Sequence, residues 1–253
     1  MVNATEQRYW EARYERQSGV AKNVMSAYET ELKIQPNLFK KLCCTPPMAF
    51  GKEKWLKFLN VDVGLEPPLP ADIYRILSGP CPFQLGKTIA QTHILVLVPE
   101  TINGQPLTLK LLGELVQRFL PGSQAGYYKY SYFGQYNTET LNGPSRWVLM
   151  TNDVIPGSRS VDYEAQKQLL SSTVYKVPPL IKASVAILMD YISNRKMNFN
   201  RTKDSWTYTR CQETSQLGWQ MVVGGLSPAG LRILSFSSSD DDARLGLAGF
   251  REF

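Results

Sequence analysis

One histidine, His93, occurs in 253 residues, and that scarcity removes more chemistry than any motif adds. A nucleophilic relay would have to run through His93, and a mixed zinc set has no second imidazole to draw on. Cysteine is sparse as well, at four residues: Cys43 and Cys44 are adjacent, Cys81 and Cys211 stand alone, and no CxxC occurs. Free thiols and no structural zinc follow. Long apolar runs are missing too. The longest, Ile94 to Pro99, falls far short of the roughly 20 residues that span a bilayer, and Met1 to Arg16 is polar throughout, unlike a signal peptide. A soluble cytoplasmic protein without a membrane partner is expected. No block of one charge stands out, since acids and bases intersperse and the longest basic run is Lys40-Lys41.

The chain does hold globular material: 43% hydrophobic and 11% aromatic residues, with a net charge of +6. That length buries about three quarters of its extended surface, enough for one large domain or two small ones. The excess of lysine and arginine is mild and reads as a solvated basic surface, so nucleic acid is not the expected partner.

Two styles of sequence succeed each other. Residues 1–85 read as a helical, loop-rich region. Glu6 to Arg16 and Ala21 to Ile34 carry helix-spaced aromatic and aliphatic stripes, and Lys52 to Leu59 is a short amphipathic helix. Pro70 is placed to open a further helix over Ala71 to Leu77. Residues 86–253 read as an α+β domain. His93 to Val98 is a buried central strand ended by Pro99, and Asn103-Gly104 a turn. Thr108 caps a helix to about Leu120. Tyr127 to Tyr136 alternates as an exposed strand, and Trp147 to Met150 is a second buried strand. Asp162 to Leu170 is a short helix. Pro179 opens the strongest helix, with Ile181, Val185, Leu188, Met189 and Ile192 as its buried stripe. The fold class expected is α+β, a helical N-terminal part packed on a mixed, mostly antiparallel C-terminal sheet.

The candidate motifs mostly fail on chemistry. Gly79 to Thr88 ends in Gly-Lys-Thr, but six residues separate its glycines and two are prolines without an N–H. A strand rather than a helix follows soon after, so no nucleotide is expected. Asp240, Asp241 and Asp242 lack the alternating ligands and closing glutamate of a calcium loop, so they read as a solvated loop open to a partner. No cofactor, metal or catalytic residue is assigned. Aromatic strand faces are the positive signal. Trp206, Tyr208 and Arg210 share one side of a strand, and Tyr127, Tyr128, Tyr130 and Tyr132 form a second cluster. With Trp219 and Asp240 to Asp242 they make up the expected partner-binding set.

Two resemblances add context. Asp62-Val63-Gly64, Pro67 to Pro70, Cys81-Pro82-Phe83, Asn103 to Leu109, Trp147 to Thr151, Asp153 to Arg159 and Tyr208 to Glu213 resemble an uncharacterised paralogous family of environmental chlamydia-type bacteria. That resemblance covers most of the chain after residue 50 and implies no known activity. Separately, Val222-Val223-Gly224-Gly225, Leu231-Arg232, Asp241-Asp242 and Gly249-Phe250-Arg251 are similar to the closing strands of the formylglycine-generating-enzyme-like branch of the C-type-lectin fold. Trp147 to Thr151 followed by Asp162 to Leu170 looks like that branch's strand-to-helix step. This implies a C-type-lectin-like scaffold over about the last 110 residues. The branch's enzymes use two nearby cysteines where this chain has only Cys211, and the calcium-reading lectin motifs are missing. A scaffold does not carry a function with it.

The function expected is therefore a non-catalytic recognition domain that binds a partner protein, as a subunit or regulator of a bacterial multi-protein complex. One alternative is an enzyme with Cys81 or Cys211 as nucleophile beside His93. Another is a weak nucleic-acid binder using Lys40, Lys41, Lys52, Lys54 and Lys57 with Trp55.

Overall fold

Pro179 ends an extended stretch and the helix Leu180–Asn194 begins at the next residue. In the computed structural model, which describes residues 45–128, 131, 143–199 and 206–253, this helix lies between two sheets. Pro46 onward belongs to one compact unit, Pro46–Phe253. The two helices expected within residues 1–44, together with Lys40, Lys41, Tyr130 and Tyr132, lie outside the described residues.

The elements are, in chain order, α1 (Lys52–Lys54, continued by a wider π turn over Trp55–Leu59), α2 (Ile73–Ser78), α3 (Ile89–Thr92) and β1 (His93–Val98). The hairpin β2 (Thr101–Ile102) and β3 (Gln105–Pro106) follows, then α4 (Leu109–Val116) with a 3-10 turn over Gln117–Phe119. Next come β4 (Arg146–Thr151), α5 (Tyr163–Gln168) and α6 (Leu180–Asn194). The chain closes with β5 (Tyr208–Thr214), β6 (Gln220–Ser227), β7 (Gly230–Phe236), β8 (Leu245–Gly246) and β9 (Phe250–Glu252). The class is α+β, with mostly antiparallel pairing and one short parallel pair, β5 with β8.

Local chemistry accounts for most boundaries. Asn103 and Gly104 both take positive φ, 50° and 77°, as a two-residue hairpin turn between β2 and β3 requires. Thr108 accepts the Leu111 N–H at 3.1 Å, capping α4. Asp162 does the same for α5 through the Ala165 N–H at 2.8 Å. The first amide of α6 is met by a distant group, the Glu213 carboxylate, at 2.8 Å. Burial pushes the Glu213 carboxyl up, and that hydrogen bond opposes the rise.

The first sheet has the order β1-β4-β9. The expected central strand, His93 to Val98, is buried as predicted, but β4 holds the centre of the sheet. The far edge of β1 is covered instead by Phe50, whose amide donates to the Leu95 carbonyl at 2.8 Å and whose carbonyl accepts the Leu97 amide at 2.9 Å. Trp55 adds an indole hydrogen bond to the Leu97 carbonyl at 2.9 Å. Residues of the 46–85 stretch thus share one hydrophobic core with the sheet.

The second sheet has the order β7-β6-β5-β8. Its inner face, with Cys211, Met221, Val223, Leu231 and Ile233, joins the core around α6. Because α6 has a sheet on each side, its buried surface exceeds the predicted stripe and takes in Ala183, Ser184, Ala186 and Ile187 as well. Ser184 stays satisfied by donating to the Leu180 carbonyl at 2.8 Å.

Candidate functional site

Strand alternation sends the remaining side chains of β5, β6 and β7 to the outer face of this second sheet. Tyr208, Val222 and Leu245 form a small cluster there, with Trp206, Leu234 and Phe236 packed against it. The cross-strand register sets Tyr208 opposite Gly224, and Gly224 opposite Arg232. The next glycine keeps the middle of this row empty. Gly225 has φ +55°, and a Cβ there would lie 2.9 Å from the Tyr208 ring and 3.0 Å from the Arg232 side chain. Gly225 therefore lets a tyrosine from one neighbouring strand meet an arginine from the other, while Gly224 lies against the Thr207 backbone.

Arg232 is the centre of the face. Its guanidinium carbon lies 3.9 Å from the Tyr128 ring centroid and 3.9 Å from the Trp206 ring centroid. Two rings thus approach the one cation at contact distance, an arrangement favoured by the ring quadrupoles. Tyr128 reaches the site because its amide donates to the Leu231 carbonyl at 2.9 Å, laying residues 126–128 along the edge of β7. Burial pushes the Tyr208 hydroxyl up, and the Arg232 charge beside it opposes that shift. Tyr128, Trp206 and Arg232 are each half-buried.

Other arginines around the face are consumed by the loop that follows β7. Arg210 is fully buried and donates to the Ser237 and Asp240 carbonyls at 2.9 and 2.5 Å. Burial lowers its pKa, an effect Asp240 opposes. Arg159 donates to the Ala243 carbonyl at 3.0 Å and to the Thr207 hydroxyl at 2.8 Å. Arg244 forks onto Asp242 at 2.5 to 3.0 Å, and that contact holds the Asp242 carboxyl below its usual range. Arg232 differs: its side chain hydrogen-bonds with the Tyr208 hydroxyl, its Nε is buried without a partner, and no ion pair to a carboxylate is found for it among the described residues.

The expected partner-binding set is split by these positions. Tyr128, Trp206 and Tyr208, from two separate sequence clusters, converge on one guanidinium. Tyr127 does not belong to an exposed strand: it is 2% exposed, its hydroxyl donates to the Leu109 carbonyl at 2.8 Å, and its ring lies against Gly113. Arg210 is likewise corrected from contact residue to internal brace. Tyr208 is 1% exposed and acts from beneath the face. Asp240 and Asp242 turn inward, since Asp240 accepts the Ser237 amide at 2.9 Å, whereas Asp241 is exposed. No group of acids, cysteines and histidines suited to a metal is found among the described residues. Trp219, 47% exposed, sits in the turn before β6, five residues from Gly224 along the strand, or about 17 Å away.

The thiols and the imidazole lie elsewhere. Cys211 is fully buried on the inner face, and burial raises its thiol well above the ordinary value. Cys81 is 7% exposed and accepts the Phe83 amide at 3.4 Å. His93 meets Thr92 Oγ1 through Nδ1 at 2.9 Å, and its ring packs 5.2 Å from that of Tyr175. No hydrogen bond joins His93 to either thiol among the described residues. In the lysine group, Lys52 pairs with Asp62 at 3.0 Å, Lys54 donates to the Pro47 carbonyl at 2.7 Å, and Lys57 lies over the Phe58 ring. Trp55 is fully buried and cannot stack on a base.

Comparison with protein-family models, with curated proteins and with solved structures returns no match. The reading of the site therefore rests on its own geometry.

Arg232 is the residue that sequence reasoning passed over, quoting it only as part of a scaffold motif. A signal was present. In Gly230 to Phe236 a lone arginine interrupts an aliphatic strand, level with a glycine pair that leaves room for it.

Proposed function

We propose that this chain is a non-catalytic recognition domain that binds a partner protein through the outer face of the β7-β6-β5-β8 sheet, as a subunit or regulator of a bacterial multi-protein complex. The observation that carries the reading is the Tyr128–Arg232–Trp206 stack. Tryptophan, tyrosine and arginine dominate interface hot spots because they offer large contact area with few rotors to freeze. Here the three are prearranged, so docking costs little further ordering. Leu234 and Phe236 extend the half-buried apolar surface beside the stack. The cysteine-enzyme alternative gains no support from thiols that are buried and apart from His93. Buried free thiols suit a reducing compartment, so the reading places the protein in the cytoplasm. No described helix is long and apolar enough to cross a membrane.

The test is co-purification by the tagged full chain from lysate of its own cells, run beside Trp206→Ala and the distant surface variant Lys110→Gln. The wild type and Lys110→Gln should retain one shared partner, and Trp206→Ala should lose it. A partner held equally by all three would refute the assignment of this face.

A further inference from the structure

We infer that Arg232 is the receptor for a single carboxylate presented by an apolar segment of the partner protein. The inference rests on the docking face proposed above and deepens it by naming the chemistry recognised.

A guanidinium is planar, with five N–H groups directed outward in its own plane. The Tyr128 and Trp206 rings each lie 3.9 Å from the guanidinium carbon, so hydrogen bonding is left to the N–H groups directed away from them. The Tyr208 hydroxyl hydrogen-bonds with Arg232, in the space that Gly225 leaves open. The nearby arginines already spend their protons on the Ser237, Asp240 and Ala243 carbonyls or on Asp242. Arg232 pairs with no carboxylate among the described residues, and its Nε is buried without an acceptor. A half-buried guanidinium without a carboxylate partner suits an anion that reaches the N–H groups still open to solvent. A carboxylate suits the edge of a guanidinium, since its two oxygens match the parallel N–H pairs. The rings hold the side chain in one rotamer before the ligand arrives, so the fork forms without further loss of side-chain freedom.

Local charge selects a carboxylate on a protein over the phosphates of a nucleic acid. A polyanion needs several uncommitted cations in a row, since each phosphate it neutralises requires one. Among the described residues, Arg244 over the Phe236 ring is matched by Asp242, and the same loop adds Asp240 and the exposed Asp241. Among the described residues, one negative charge is matched there and the acids of the loop oppose a string of them. The half-buried side chains of Leu234 and Phe236 then fit apolar residues flanking the acid.

The experiment measures fluorescence anisotropy of the full chain against three labelled probes. They are a hexapeptide alternating glutamate and leucine, the same peptide with glutamine for glutamate, and a single-stranded oligonucleotide. The glutamate peptide should bind, weaken with added salt, and bind at least roughly tenfold better than the glutamine peptide, as expected for a charge-assisted pair. Arg232→Gln should abolish that preference. Arg232→Lys, which retains the charge without the fork, should reduce it several-fold. Lys87→Gln, an exposed lysine elsewhere, should leave it intact, and thermal melts establish that each variant is folded. Equal binding of the two peptides, an unchanged preference in folded Arg232→Gln, tighter Arg232-dependent binding of the oligonucleotide, or no peptide binding at millimolar concentration each overturns the inference. If the peptides fail while Trp206→Ala still loses the co-purified partner, the docking face stands and only the carboxylate chemistry falls.

Discussion

At the residue scale, burial decides what the titratable side chains can do. His93 is 4% exposed, and burial lowers its pKa to about 4. The neutral imidazole is the form that fits, so the unfolded chain takes up a proton near pH 6.5 while the folded chain resists it. Stability is therefore fully present above pH 6.5, declines as pH falls toward 4, and loses nothing further below that. The full decline from this residue is about 3 kcal/mol. Glu213 and Asp190, whose carboxyls are pushed up by burial, contribute in the opposite sense at acid pH. Only the difference between wild type and a His93 variant isolates the imidazole. Urea unfolding of wild type and His93→Asn across this range should show the gap between them narrowing as pH falls. A gap that stays constant would mean that His93 ionises in the folded protein as it does in water.

Elements were legible wherever their cause is local. Thr108 starts a helix where its capping side chain predicts, helices follow Asp162 and Pro179 as expected, and Asn103-Gly104 turns where positive φ is required. The faces were harder to read. Strand alternation shows which residues share a side, but which side meets α6 depends on partners far away in sequence. Tyr127 illustrates this: its spacing suits an exposed strand, yet Gly113 opens a slot in α4 that its ring fills. The glycine pair was visible, whereas its role was not, because Arg232 and Tyr208 arrive from strands on either side of it. Gly225→Ala tests that role against a reference, Gly86→Ala. Both positions have positive φ, 55° and 75°, but only Gly225 has neighbours close enough to be struck. Gly86→Ala should lose only the left-handed backbone cost, about 1 kcal/mol. Gly225→Ala should lose about 1–3 kcal/mol more as the Tyr208–Arg232 approach is forced apart. Equal losses in chemical denaturation would show that the row tolerates a methyl group.

On the scale of the whole molecule, the helix α6 and its two sheets make a rigid frame, and only one sheet carries the stack on its outer face. The aromatic clusters named from sequence supplied half of that site, Tyr128 with Trp206 and Tyr208. The cation that organises them was hidden by its aliphatic strand neighbours. The most direct measurement is site-specific photocrosslinking in cells, with a benzophenone amino acid placed at Phe236 on the outer face or at the exposed Glu114 of α4. The account predicts a discrete partner adduct from position 236 and none from 114. An adduct from 114 with none from 236 would contradict it.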